Sequence, residues 1–341
     1  MSTRSLLLLI FLLFSACGES PQSTGVAWSL AFSPQGDKLL AVGRFENVTA
    51  TRVYEMTSGR TLNQLTSLSA GASGATWSPA GTQIFYLNLE ESRIDLFDLQ
   101  QQKVTSGCHC DFFPQGTLSL LNNNELIVAP CLIADFQPTA EPPVITQAFC
   151  PEGKPTTREF GGCDAGTVFR VSTSHRAEGP VAVSYAGGCP VEVWDYRDGD
   201  LSLRYEFPDL EQCWIKVSAD GQQLATLGLA GLSIWNLTAE EPKPLVHFSE
   251  KRISPTGFHS LAAFQSRLSF SQDGHLLAVC FEDSVQVIDL TVQKVIFDRQ
   301  FHQSELVLSC ALSPDGKTLA WSGNRGMGIR LQAVRRRAAT E

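Results

Sequence analysis

Ten cysteines and six histidines are the residues of this 341-residue chain with the most chemistry to offer. Seven of the cysteines, Cys108, Cys110, Cys131, Cys150, Cys163, Cys189 and Cys213, fall in one stretch that also holds a long Pro-rich segment, Gln137 to Pro155. In an exported chain such crowding reads as disulfides that tie down loops. Cys150 with Cys163, Cys189 with Cys213, and Cys131 with Cys108 or Cys110 are plausible pairings, and the connectivity stays open. Cys108-His109-Cys110-Asp111 has the side chains of a metal site. Its Cys-x-Cys spacing is neither the C-x-x-C of structural zinc nor the C-x-x-C-H of c-type haem, so disulfide is preferred and no metal is assigned. Asp195, Asp198 and Asp200 form an oxygen-rich stretch of the kind calcium favours, and a polar turn between two strands accounts for it as well. Cys280 and Cys310 read as small buried hydrophobes or as a bridge between neighbouring repeats.

Catalytic signatures are missing. There is no G-x-S-x-G, no H-E-x-x-H and no Walker loop, and the histidines (His109, His175, His247, His259, His275 and His302) are scattered. No catalytic residue and no cofactor is assigned. The formal charge of −9 and pI near 5.2 exclude nucleic acid as the main ligand, because phosphate binding needs a basic surface. The one basic run, Arg335-Arg336-Arg337, sits in a solvated tail, residues 335–341.

The elements that must position these residues recur. A short apolar strand is followed by Ser-x-x-Gly and a second apolar strand: Ser33 to Gly36, Ser78 to Gly81, Ser218 to Gly221, Ser271 to Gly274 and Ser313 to Gly316. Pro in second place pre-sets a turn, Asp in third place bonds nearby backbone, and Gly accepts positive φ. An alternating strand then ends in an apolar or aromatic residue and a polar one: Val53-Tyr54-Glu55, Leu96-Phe97-Asp98, Val193-Trp194-Asp195, Ile234-Trp235-Asn236 and Val287-Ile288-Asp289. Period-two alternation marks half-buried strands, and the final carboxylate or amide suits a tight turn. Two degenerate units, anchored at Asn124 and Gly179, complete a series spaced 42 to 55 residues apart. Units of this size match four-stranded propeller blades.

Val193-Trp194-Asp195 and Ile234-Trp235-Asn236 resemble the endings of WD40 repeats, and Ser313-Pro314-Asp315-Gly316-Lys317-Thr318-Leu319-Ala320 resembles the inner hairpin of WD40 and Tol-type periplasmic propellers. The resemblance covers residues 26–334. It implies an all-β chain: a seven-bladed β-propeller of four-stranded antiparallel blades. The last blade either has three strands or takes a poor fourth from one chain end. Phe301-His302 is the nearest echo of the Gly-His dipeptide of full WD40 blades, so their Asp-His-Ser-Trp network is expected to be incomplete.

At the N-terminus, Arg4 precedes an apolar run from Leu6 to Phe14, too short to span a bilayer as a mature helix. Phe14-Ser15-Ala16-Cys17 resembles a bacterial lipobox. The resemblance implies a signal peptide at 1–16, lipidation and N-acylation of Cys17, and membrane anchoring through several acyl chains. Gly18 in place of Asp points to the outer membrane. Residues 17–25 then form the lipidated Cys and a flexible tether. The expected function is a non-enzymatic protein-interaction scaffold at the cell envelope, meeting an envelope protein through Phe112, Phe113 and Phe136. The alternative is a propeller enzyme or small-ligand receptor that uses the central channel.

Overall fold

The computed structural model describes residues 25–66, 75–88, 93–109, 116–120, 125–130, 144–149, 156–159, 168–174, 176, 178–185, 190–198, 200–208, 210, 214–228, 231–248, 266–302, 305–324 and 327–335. Cys17 and the tether lie outside them.

The Ser-x-x-Gly segments build the hairpins that organise the chain. Ser33 N–H donates to the Lys38 carbonyl, Gly36 N–H donates back to the Ser33 carbonyl, and Lys38 N–H donates to Ser33 Oγ. The same set recurs at Ser78, Ser218, Ser271 and Ser313. The serine hydroxyl is therefore a backbone acceptor, which explains why that residue repeats. Asp220, Asp273 and Asp315 each receive that hydroxyl proton through Oδ1 and also accept the N–H two residues on. The turn glycines sit at φ between +65° and +76°, where a side chain is strained.

These hairpins grow into antiparallel sheets. The first is β1 (Gly25–Phe32), β2 (Lys38–Phe45), β3 (Val48–Glu55) and β4 (Thr61–Thr66). The second is β5 (Ala75–Trp77), β6 (Gln83–Asn88), β7 (Arg93–Asp98) and β8 (Lys103–His109). The third is β9 (Gly116–Leu120), β10 (Glu125–Pro130), β11 (Val144–Phe149) and β12 (Thr156–Glu159). The fourth is β13 (Val168–Thr173), β14 (Gly179–Tyr185), β15 (Val191–Arg197) and β16 (Asp200–Phe207). The fifth is β17 (Trp214–Val217), β18 (Gln223–Gly228), β19 (Gly231–Asn236) and β20 (Pro244–Phe248). The sixth is β21 (Leu268–Phe270), β22 (Leu276–Cys280), β23 (Ser284–Asp289) and β24 (Lys294–Gln300). Last come β25 (Val307–Leu312), β26 (Thr318–Gly323) and β27 (Gly328–Ala333).

The expected seven four-stranded blades are corrected by this strand order. Six blades have four antiparallel strands, and β25–β27 form a three-stranded sheet. Among the described residues no strand pairs with β27 on its far side. β1 pairs with β2, from Gly25 opposite Phe45 to Phe32 opposite Leu39, and stands at the edge of the first sheet. The anchor at Gly179 is also corrected. There the turn is one residue longer, with Ser174 N–H reaching the Pro180 carbonyl, and Gly179 already belongs to β14.

In five sheets the third strand slips register against the fourth. In four of these the slip falls at the apolar or aromatic position of the second motif: Val53/Tyr54, Val193/Trp194, Ile234/Trp235 and Val287/Ile288. A bulge there sharpens the strand's twist. The closing Asp98, Asn236 and Asp289 accept backbone N–H groups of the following turn.

The core lies between sheets. One cluster joins Leu40 and Val53 to Trp77, Ile84 and Phe97. Others join Val193 and Phe207 to Ile215 and Leu224, Ile234 and Leu232 to Leu277 and Val279, and Val285 and Val287 to Leu319 and Trp321. Another joins Leu39 and Phe45 to Ala311, Ala320 and Ile329, which packs the first sheet on the last. β1 also contacts β25, β26 and β27, so the sheets close into a ring.

Candidate functional site

The first strands of successive sheets adjoin one another from β5 to β25, and β25 adjoins β1. Among the described residues, three serines bond across neighbouring inner strands. Ser119 Oγ accepts from Thr173 N–H, Ser172 Oγ from Val217 N–H (3.0 Å) and Ser269 Oγ from Leu312 N–H (2.9 Å). Ser172 and Ser269 each stand two residues before a turn serine, a recurrence that could have been read in the sequence. In the fifth sheet the same place, two before Ser218, holds Lys216.

An ammonium has no acceptor lone pair, so Lys216 cannot continue this ladder. Its side chain is only partly exposed and makes no hydrogen bond or ion pair among the described residues. Burial pulls its pKa below the usual lysine value. Nearby in sequence, Trp214 carries the Arg267 guanidinium at 5.0 Å from its ring centre. Arg267 is buried, donates through Nη1 to the Cys280 carbonyl at 3.3 Å, and leaves Nε without a hydrogen-bond partner. Arg170, on β13, is a further buried cation of the inner strands.

A second polar cluster lies in the fourth sheet. Tyr185 O–H donates to Glu192 Oε2 at 2.6 Å, and Trp194 Nε1–H donates to the same oxygen at 2.9 Å. Glu192 Oε1 is buried without a hydrogen-bond partner. Burial pushes the Glu192 carboxyl up, against the two donated bonds, and Glu206 adds to the rise. Burial and the Glu192 charge push the Tyr185 phenol up as well.

The sequence-derived candidates divide clearly. Phe112, Phe113 and Phe136 lie outside the described residues, as do Cys110, Cys131, Cys150, Cys163, Cys189 and Cys213, and the side chain of Cys108. Cys280 and Cys310 are buried thiols on β22 and β25. Asp195 is engaged by Arg204 at 3.2 Å and Arg197 at 4.0 Å. Among the described residues one link of the WD40-type network is present: Trp235 Nε1–H donates to Thr226 Oγ1 at 3.1 Å. Trp194 turns to Glu192 instead. No group of three metal-ligating side chains occurs among the described residues.

No protein-family model and no curated protein matches the sequence. Solved structures do match in shape. The β-propeller domain of Cps50 (Swd1) from Myceliophteria thermophila superposes with a TM-score of 0.68 at 12% identity, covering 91% of this chain and 97% of that one. The chain is a β-propeller. A chain of Kuenenia stuttgartiensis hydrazine synthase superposes with a TM-score of 0.67 at 10% identity, covering 94% of this propeller and 98% of that chain. At such identities the likeness is one of fold, and the fold is compatible with a protein-interaction scaffold without specifying one.

Proposed function

We propose that this propeller is a cell-envelope lipoprotein that serves as a non-enzymatic scaffold for protein partners. The observation that carries the reading is how the ring closes. Ser322 Oγ accepts from Ala27 N–H at 3.0 Å, and Ser309 O–H donates to the Ala27 carbonyl at 2.8 Å. These buried bonds lock the first and last sheets into one frame. A rigid frame suits docking, because little entropy is lost on binding. The lipobox-like Phe14-Ser15-Ala16-Cys17 supports attachment to a membrane, where partner search is confined to a surface. In-cell crosslinking of the tagged lipoprotein, with mild-detergent extraction and mass spectrometry, tests both parts. One stoichiometric envelope protein, lost or reduced with Cys17→Ala, is expected. No protein above background overturns the scaffold reading.

Lys216 favours a second reading, a receptor for small anions at the inner circle. Calorimetric titration with inorganic phosphate and with a dicarboxylate would show binding that Lys216→Met abolishes. Absence of heat with both anions in the native protein overturns it.

A further inference from the structure

Val334 N–H donates to the Lys317 carbonyl, just past the end of β27. β26 and β27 pair without a register shift from Thr318 opposite Ala333 to Gly323 opposite Gly328, so the direction of the backbone groups alternates along β27. Arg330 and Gln332 turn theirs to β26; Ile329, Leu331 and Ala333 turn theirs to the outer side. Among the described residues no strand takes up those outer groups. The side chains are uncovered as well. Gln332 and Ala333 are exposed and Arg330 and Leu331 half-buried, whereas every residue of β23, the third strand of the four-stranded sixth sheet, is buried.

The complete sheets show what belongs beside β27. Arg52 pairs with Ala41, five residues past the turn glycine Gly36, and Arg330 pairs with Trp321, five past Gly316, so the two arginines hold the same place in their sheets. Arg52 has a fourth strand next to it. Its Nε donates to Oε1 of Gln64, the residue opposite on β4, at 2.7 Å, and its Nη2 meets Glu46 at 3.2 Å. Ser233 holds this place in the fifth sheet, paired with Thr226, and is bonded at 2.8 Å to His247 opposite on β20. Arg330 Nε falls back on the Met327 carbonyl at 2.8 Å, and its Nη atoms make no hydrogen bond among the described residues. Arg299 of β24 lies 5.3 Å from the ring centre of Trp321, and among the described residues neither it nor Arg330 meets a carboxylate. These two guanidinium groups complement an acidic group at the strand edge. A second copy of the chain does not supply one by edge pairing, because its β27 brings a further Arg330 and like charges across strands repel. We infer that the outer edge of β27 is a docking site for an extended acidic segment of a partner protein, which adds antiparallel as a fourth strand and sets an aspartate or glutamate opposite Arg330. The site rests on the scaffold reading and gives it one contact surface.

Fluorescence anisotropy on the detergent-solubilised full chain tests the edge. The probe is a fluorescein-labelled peptide of about eight residues, alternating valine and threonine, with glutamate at one central threonine; the control peptide carries lysine there. The glutamate peptide is expected to bind about tenfold more tightly than the lysine peptide, and Arg330→Gln to erase the difference. Leu331→Pro removes an outward N–H and no bond to β26, so it abolishes binding of both peptides while the far-ultraviolet circular dichroism stays that of the natural chain. If the proline variant does not fold, Arg330→Gln decides alone. No saturable binding, equal affinity for the two peptides, or a preference that survives Arg330→Gln overturns the inference. A photo-crosslinker placed at Ala333 in cells is expected to join an acidic stretch of another protein, and a crosslink to this same chain or to a second copy overturns it. An envelope protein lost with Cys17→Ala would still support the scaffold in those cases, so the two readings fail separately.

Discussion

Ser322 holds Ala27 across 295 residues of chain: the serine hydroxyl of β26 accepts the backbone N–H of β1. Both residues are fully buried. Ser322→Ala leaves that N–H without its partner and is expected to cost about 1–3 kcal/mol in urea unfolding. A loss below about 0.5 kcal/mol would show that sheet packing alone closes the ring.

Two turn glycines separate backbone strain from crowding. Gly316 and Gly36 have nearly the same φ, +71° and +76°. A Cβ at Gly316 meets Leu276 Cδ1 at 2.8 Å, whereas at Gly36 the nearest atom is Pro314 Cδ at 3.3 Å. Gly36→Ala is expected to cost about 1 kcal/mol from the left-handed conformation. Gly316→Ala adds overpacking and should cost about 1 kcal/mol more. Equal losses in thermal or urea unfolding would contradict this account.

Glu192 should give the propeller an alkaline-side penalty. Its folded pKa lies above the ordinary 4.5, so the folded chain holds the proton more tightly than the unfolded one. The stabilisation is present at pH below 4.5 and is lost as pH rises through the folded pKa. Glu192→Gln keeps an oxygen for the Tyr185 and Trp194 donors and removes the charge. The Tm of this variant relative to the natural chain should climb between pH 4 and pH 8. A difference independent of pH would show that the carboxyl carries no such linkage.

Lys216 works in the opposite direction. Burial lowers its folded pKa below 10.5, so over the interval between the two values the unfolded chain binds more protons and stability increases with pH. Below the folded pKa the penalty is complete. Lys216→Met keeps the length of the stem and should be more stable than the natural chain at pH 7, with the advantage shrinking as pH approaches 10.5. Tm measured across that range checks it, and a Met variant that is less stable at pH 7 would mean that the ammonium has found a stabilising partner.

Much of the hairpin chemistry was legible. Ser-x-x-Gly announces a turn because its bonds join residues within five positions of each other, as Ser313 and Thr318 show. Asp289 and Asn236 announce the next turn for the same local reason. The blade anchored at Gly179 misled because its turn is one residue longer, and Gly179 stands where the strand begins rather than where the turn bends. The inner-strand serines went unread: their place two residues before a turn serine recurs in the sequence, but their partners, such as Val217 for Ser172, belong to the next sheet, so the recurrence does not say what they bond.

The sequence by itself determined the repeating β-hairpins, the alternation that buries one sheet against the next, and the acidic balance that argues against nucleic acid. These follow from short-range hydrogen bonding, side-chain period and summed charge. Only the tertiary structure decided that six blades are complete and one sheet has three strands, that Ser172 and Ser269 bond across to the next sheet, and that Cys280 and Cys310 donate their N–H groups to the adjacent carbonyls of Arg267 and Ser266. Each depends on which strands become neighbours when the ring closes. That choice is made by burial and pairing between segments as far apart as Ala27 and Ser322, where no local pattern reaches.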